Sequence, residues 1–307
     1  MASDLLTVFF ASALIAGLPI LLAALGEQAA ERTGVINVGL EGMMVAGAFA
    51  GFFAVWLTGS VWLGFLAGIG GGLVLGVAMS VLGVWLGCNQ IIVGIALTLT
   101  VEGVTAMTHR VLFSRTYPRL PAVESWSVPL LEHLPWIGKA LFNQHPVVYI
   151  ALLIVPLQAF VLRSTHVGLN MTAAGDKPTA LDATGVSVLR TRVLATLYAS
   201  GMAGLGGATL SIIGAGVFVP FMTNGAGFIG IVLAMLAAGR PGLVLVGALV
   251  FGASLSLTSI LQISGVDVSP DFIQMLPYVM VLLVLILFAR RTALPPALGE
   301  AYVRGAR

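Results

Sequence analysis

Apolar positions along this chain fall in long runs, separated by short segments that concentrate glycine, proline, asparagine and basic residues. About 20 apolar residues carry a helix across the hydrocarbon core of a bilayer. Nine runs meet that length or come close, near residues 5–26, 38–57, 61–87, 91–108, 147–163, 192–214, 224–239, 242–262 and 273–289. The pattern predicts an all-α, polytopic transmembrane helical bundle of about nine spans. The range is eight to ten, because the third run is long enough to hide a break at Gly70–Gly72 and the seventh is short. Met1–Leu25 lacks the basic start and cleavage site of a secretory signal and reads as the first span. With no long polar segment to hold a soluble domain, residues 1–307 form a single transmembrane domain.

Composition strengthens this reading. The chain is 59% hydrophobic and only 8% charged, too few charges to cover a globular surface in water. Lipid must be a large part of its surroundings. A net charge of +2 is too small for nucleic-acid binding by phosphate neutralisation. Cys88 is the sole cysteine, which excludes an intramolecular disulfide and a thiolate metal cluster. His109, His133, His145 and His166 are scattered, with no metal-ligand spacing and no catalytic arrangement.

Basic residues orient the spans. Placing 163–192 on the cytoplasmic side collects Arg32, Arg163, Lys177, Arg190, Arg192, Arg240, Arg290, Arg291, Arg304 and Arg307 there. The opposite side holds Arg110, Arg115, Arg119 and Lys139. The bias predicts a cytoplasmic C-terminus. Residues 109–146 then form the one long external loop, with Pro118, Pro121, Pro129, Pro135 and Pro146 limiting regular helix and Trp126 and Trp136 suited to the membrane interface.

Small-xxx-small spacing at Gly47 and Gly51, at Gly68, Gly72 and Gly76, and through Gly201–Gly207 is read as helix packing. Two other glycine-rich stretches differ. In Thr33–Gly42, Asn37 and Glu41 lie four apart, on one helical face, and the flanking glycines predict a discontinuous second helix. A carboxylate near mid-membrane costs about 2.5–3.5 kcal/mol, so Glu41 either lines the solute path or braces neighbouring helices. The other stretch, Asn224–Phe228, opens the short seventh run. Interrupted apolar segments in both halves of a transporter point to its substrate path. Gln90 is a candidate cavity residue and Asn89 a candidate helix cap. Phe228 either stacks on a solute ring or faces lipid.

The 163–192 segment is too long for a tight turn. Pro178 fits the first turn of a helix and Gly185 fits its end. A helix of about two turns between them suits either a docking element for a soluble motor or an amphipathic surface helix. The chain has no G-x-x-x-x-G-K-[ST] phosphate loop, so any ATP hydrolysis must belong to another chain.

Six blocks in order carry a resemblance that runs over almost the whole chain: Glu31–Met43, Asn89–Gly94, the 163–192 segment, Gly225–Ile231 with Gly239–Pro241, Met275–Val279, and Pro296–Gly299. The chain resembles the permease subunits of nucleoside and simple-sugar ABC importers, within the superfamily that includes the ribose and branched-chain amino acid permeases. The Asn-Gln block and the Pro-Ala-Leu-Gly tail point to the nucleoside-like branch.

The resemblance implies a bacterial inner-membrane protein that moves a nucleoside or simple-sugar-like solute by alternating access. It implies a second homologous permease as heterodimer partner, an ATPase that hydrolyses ATP with Mg, and an external solute-binding lipoprotein. It implies no cofactor bound directly. The solute path would pass Asn37, Glu41, Gln90, Asn224 and Phe228. ATPase coupling would involve Gly175, Asp176, Pro178, Ala180, Asp182, Gly185 and Arg190, with Pro178–Gly185 as the coupling helix. The chain departs from the family where Gly175-Asp176-Lys177-Pro178 replaces Gly-Glu-Asn-Pro, where Leu169–Thr172 lacks a basic residue, and where Thr98 stands in place of asparagine. The competing readings are a permease for another small polar solute, a stand-alone ion-coupled carrier using Glu41 and Glu102, and a membrane scaffold.

Overall fold

The structure, a computed structural model, describes residues 2–127, 138–263, 270–288 and 294–303. His133, Pro129, Pro135 and Trp136 of the external loop, and Arg290, Arg291, Arg304 and Arg307 of the charge count, lie outside the described residues.

Helix α1 spans Ala2–Arg32, α2 Leu40–Thr58 and α3 Val61–Met79, the last continuing as π-helical turns over Ser80–Trp85. Helix α4 spans Gln90–Phe113. A two-residue strand β1, Trp126–Ser127, pairs antiparallel with β2, Asn143–Gln144, around the short helix α5, Gly138–Phe142. There follow α6 (Pro146–Ser164), α7 (His166–Asp176), α8 (Pro178–Ala183) and α9 (Val188–Thr209), with π turns over Leu210–Ala215. The chain continues as α10 (Ala226–Leu236), α11 (Pro241–Ile263) and α12 (Pro270–Phe288).

Among the described residues, seven helices are long and apolar enough to cross a membrane. The other two expected spans coincide with the short apolar α10 and with α12.

Local chemistry explains the boundaries. Backbone N–H groups at a helix start need an acceptor. Asn89 supplies one to Ile91 and Ile92 at 3.0 and 3.2 Å, as its candidate cap role required. Ser60, His145, Thr165 and Ser187 do the same for α3, α6, α7 and α9. Pro178 opens α8, and Gly185, at φ +85°, follows its end in the left-handed conformation that favours glycine.

The core lies where α1, α2, α3 and α9 meet. Ile20–Leu25 of α1 are at most 2% exposed. Glycine sets the spacing. A Cβ on Gly47 or Gly72 would run into Gly204 and Ser200 of α9, and one on Gly207 into the Met44 carbonyl of α2. Lipid gives no hydrophobic drive for helices to associate, so close van der Waals contact of small residues must hold them.

That packing corrects one expectation. Helix α3 runs unbroken through Gly70–Gly72, because Gly71 and Gly72 bring the backbone against Ala46 and Ser200 instead of unwinding it. The departure from α geometry comes later, at Ser80–Trp85. The discontinuity expected in the second helix also lies elsewhere. Helix α2 is continuous, and the irregular backbone precedes it at 33–39. The 163–192 segment holds two helices where one was expected, since α7 precedes α8.

Candidate functional site

The irregular stretch 33–39 is buried except at the half-buried Ile36 and Val38, and is held from several sides. Glu27 of α1 accepts the Asn37 N–H at 2.9 Å, and Gln90 at the start of α4 accepts the Ile36 N–H at 2.8 Å. Gly94 lets this backbone touch α4, since a Cβ there would come within 2.5 Å of the Gly39 nitrogen. Buried backbone polar groups need partners within the protein, and these contacts supply them to the N–H groups of Ile36 and Asn37. Asn37 is fully buried, with its amide donating to the Met43 sulfur at 3.2 Å and its Oδ1 without a hydrogen-bond partner among the described residues.

One turn further, Glu41 is 2% exposed in the first turn of α2. Its carboxylate reaches the start of α10. Oε1 accepts from the Thr223 hydroxyl at 2.5 Å and the Gly225 N–H at 2.9 Å, and Oε2 accepts from the Gly227 N–H at 2.6 Å. Orphan N–H groups and the positive end of the dipole make a helix N-terminus a natural seat for an anion. Glycine is required at two positions of the α10 start. Gly225 has φ +83°, and a Cβ on Gly227 would lie 2.6 Å from the Glu41 backbone nitrogen and Cα. The two interrupted stretches singled out in the sequence are therefore one construction, with a carboxylate from the first capping the helix of the second.

The remaining candidates sit around it. Asn224, at φ +45°, donates from Nδ2 to the Tyr278 hydroxyl at 3.3 Å, and that hydroxyl reaches the Asn224 carbonyl at 3.3 Å. Phe228 is 43% exposed on the outer side of α10. Gln90 is 3% exposed and occupied by its bond to Ile36, so in this conformation it supports the backbone and does not face an open cavity. Thr98 accepts the Gly42 N–H at 3.3 Å. Glu102 is half-buried on α4. Next to the capped helix, α1, α10, α11 and α12 enclose a cavity of about 350 Å³, whose polar lining includes Thr223, Asn224, Thr258 and Tyr278.

At the other candidate site, Leu181 fixes α8 by packing with Ala174 and Val188. Asp176, Ala180, Gly185 and Arg190 are exposed, and Pro178 and Asp182 are half-buried. Gly175 is buried, its backbone so close to α1 that a Cβ would lie 2.5 Å from the Arg32 carbonyl.

Reading the sequence missed Glu27, Thr223 and Arg192. Arg192 was counted as a cytoplasmic loop charge, yet it is 2% exposed inside α9. The available signals were the helix-favouring residues Glu27–Arg32, which carry α1 beyond its apolar run, and a helix cap at Ser187 that draws Arg192 into the next span.

Long apolar helices around a buried, glycine-interrupted seam define a polytopic membrane protein with the construction of a transporter. The branched-chain amino acid transport system permease component family matches residues 9–285, and the chain belongs to that family. It is 36% identical to the putative glucose ABC transporter permease protein TsgC13 of Haloferax volcanii, covering 93% of this chain and 94% of the relative. It is 30% identical to the nucleoside ABC transporter permease protein NupC of Lactococcus lactis, over 97% and 98%. It is 28% identical to the guanosine ABC transporter permease protein NupQ of Bacillus subtilis, over 99% of each chain. The chain is an ABC transporter permease, a transport subunit.

Proposed function

We propose that this permease imports a nucleoside or a simple sugar by alternating access, driven by ATP hydrolysis on a separate subunit. The observation that carries the proposal is α8. It is a short helix pinned to the bundle by Leu181 while Thr179 and Ala180 stand exposed, as a docking element requires. In this reading Pro178–Gly185 is the coupling helix. The nine expected spans are the seven long helices with α10 and α12, in one inner-membrane domain whose C-terminus is cytoplasmic.

The partners are an ATPase, a sister permease and an external solute-binding protein. The names of the relatives support a nucleoside or sugar as solute. The cavity beside α10 adds a physical reason. Its hydroxyl and amide groups suit a neutral, hydroxyl-rich solute, since a site lined by hydrogen-bonding groups rejects molecules that leave them unpaired. Asn224 borders this cavity directly. Glu41 and Asn37 act from behind it, by fixing the helix start and the 33–39 backbone. The wall of the path on the other side of α10 is Phe228, which the sister subunit completes.

The test is reconstitution in proteoliposomes with the partner subunits. ATP-dependent uptake of a labelled nucleoside or monosaccharide is expected. Ala180→Arg should leave ATP hydrolysis running while uptake is lost. Uptake driven by an ion gradient without the ATPase would replace this reading with that of a stand-alone carrier.

A further inference from the structure

Among the described residues, Arg192 is the largest fully buried side chain. A buried guanidinium is tolerated only when its donors are paired. Here the acceptors are main-chain carbonyls. Nε donates to Thr33 at 3.0 Å, Nη1 to Glu300 at 2.6 Å, and Nη2 to Ala174 and Ala297 at 3.4 and 3.5 Å. These four carbonyls belong to three segments remote in sequence: the turn after α1, the end of α7, and the C-terminal tail.

The tail is tied to the same two segments by its own backbone. The Ala297 N–H donates to the Gly175 carbonyl at 3.0 Å, and the Gly299 N–H donates to the Gly34 carbonyl at 2.9 Å. Close approach is built in at both points. A Cβ on Gly34 would lie 2.8 Å from Arg192 Nη2 and 2.9 Å from the Ala297 carbonyl, and one on Gly175 would lie 3.0 Å from Pro295 Cβ.

The two ends of this assembly are the two candidate sites. Gly175 lies three residues ahead of α8. Gly34 lies two residues ahead of Ile36, which Gln90 holds, and the same stretch continues to Asn37 and to Glu41, the cap of α10.

We propose that Arg192 is a positioning residue which, with the tail 294–303, rigidly links the coupling helix to the 33–42 stretch, so that displacement of α8 is delivered to the Glu41 cap. The planar fork of arginine fixes several acceptors at set angles, which a lysine ammonium on a flexible stem does not. The proposal rests on the reading of α8 as the ATPase-docking helix.

The experiment compares the assembled transporter, with ATPase and sister permease, in its resting form and trapped with ATP and vanadate. Backbone hydrogen exchange is followed in α8 and in 33–42, for the wild type, for Arg192→Lys and for a chain truncated after residue 293. In the wild type both regions change protection on trapping. In both variants α8 still responds, while the change at 33–42 falls at least about fivefold, the lower end of ordinary coupling between sites.

An undiminished response at 33–42 in both variants would overturn the link while leaving the docking reading intact. A wild-type α8 that does not respond would overturn the docking reading, and the link with it. If both variants failed to assemble, the contacts would be purely architectural, and the proposal would fall.

Discussion

Replacing Glu41 by glutamine changes almost no volume and tests whether the carboxylate holds the two interrupted segments together. The wild-type side chain offers two acceptor oxygens to three donors, two of them backbone N–H groups at the start of α10. Glutamine keeps one oxygen and turns an amide nitrogen toward the other donor position. Whichever way the amide is set, at least one N–H faces another donor. Losing one hydrogen bond to a charged acceptor costs about 1.5–3 kcal/mol. Removing the negative charge from the helix N-terminus adds about 0.3–1 kcal/mol. The expected destabilisation is therefore about 2–4 kcal/mol. For Glu41→Ala, two orphaned N–H groups at about 1–3 kcal/mol each give about 2–6 kcal/mol.

The assay combines thermal unfolding of the purified permease in detergent with uptake in proteoliposomes. Both variants should insert, melt at lower temperature in the order wild type, Glu41→Gln, Glu41→Ala, and transport more slowly. A Glu41→Gln protein that melted and transported like the wild type would show that the cap contributes nothing to holding α10.

Further tests address separate links. Gln90→Leu removes the acceptor of the Ile36 N–H and should cost about 1–3 kcal/mol, read as a lower melting temperature. Gly207→Ala forces a methyl group into the Met44 carbonyl and should destabilise by about 1–3 kcal/mol through overpacking, with reduced yield of folded protein. His145 accepts the Val147 N–H on Nδ1 at 3.2 Å, and burial between Trp62 and Phe65 pushes its imidazole below the ordinary range. Its contribution is complete above the unfolded value of about 6.5 and is lost as pH falls through the lower folded value. Melting temperature should therefore drop on acidification below about pH 6.5, and His145→Asn, which keeps a cap acceptor, should remove that part of the dependence.

Much of the fold was legible because a bilayer permits few solutions. Spanning segments must satisfy their own backbone, so long apolar runs had to be helices, and the caps at Asn89 and Pro178 followed from elementary helix chemistry. The glycine spacings named the packing surfaces before any partner helix was known. The two interrupted stretches were visible for the same reason, since glycine clusters beside a lone carboxylate are costly unless they are used.

Which residues meet was not legible. Nothing local links Glu41 to Gly227, 186 positions away, or Arg192 to the carbonyls of Thr33 and Glu300. Those pairings depend on how α1, α2, α9 and α10 stack, a property of distant surfaces and not of any window of residues. The same dependence turned Gly70–Gly72 from a suspected break into a packing face, and Arg192 from a loop charge into a buried tie. The amino-acid sequence determined which runs are helical and apolar enough to suit a bilayer. Only the tertiary structure decided which polar groups, once buried, would find each other, because a buried charge takes its role from the partners that packing brings to it.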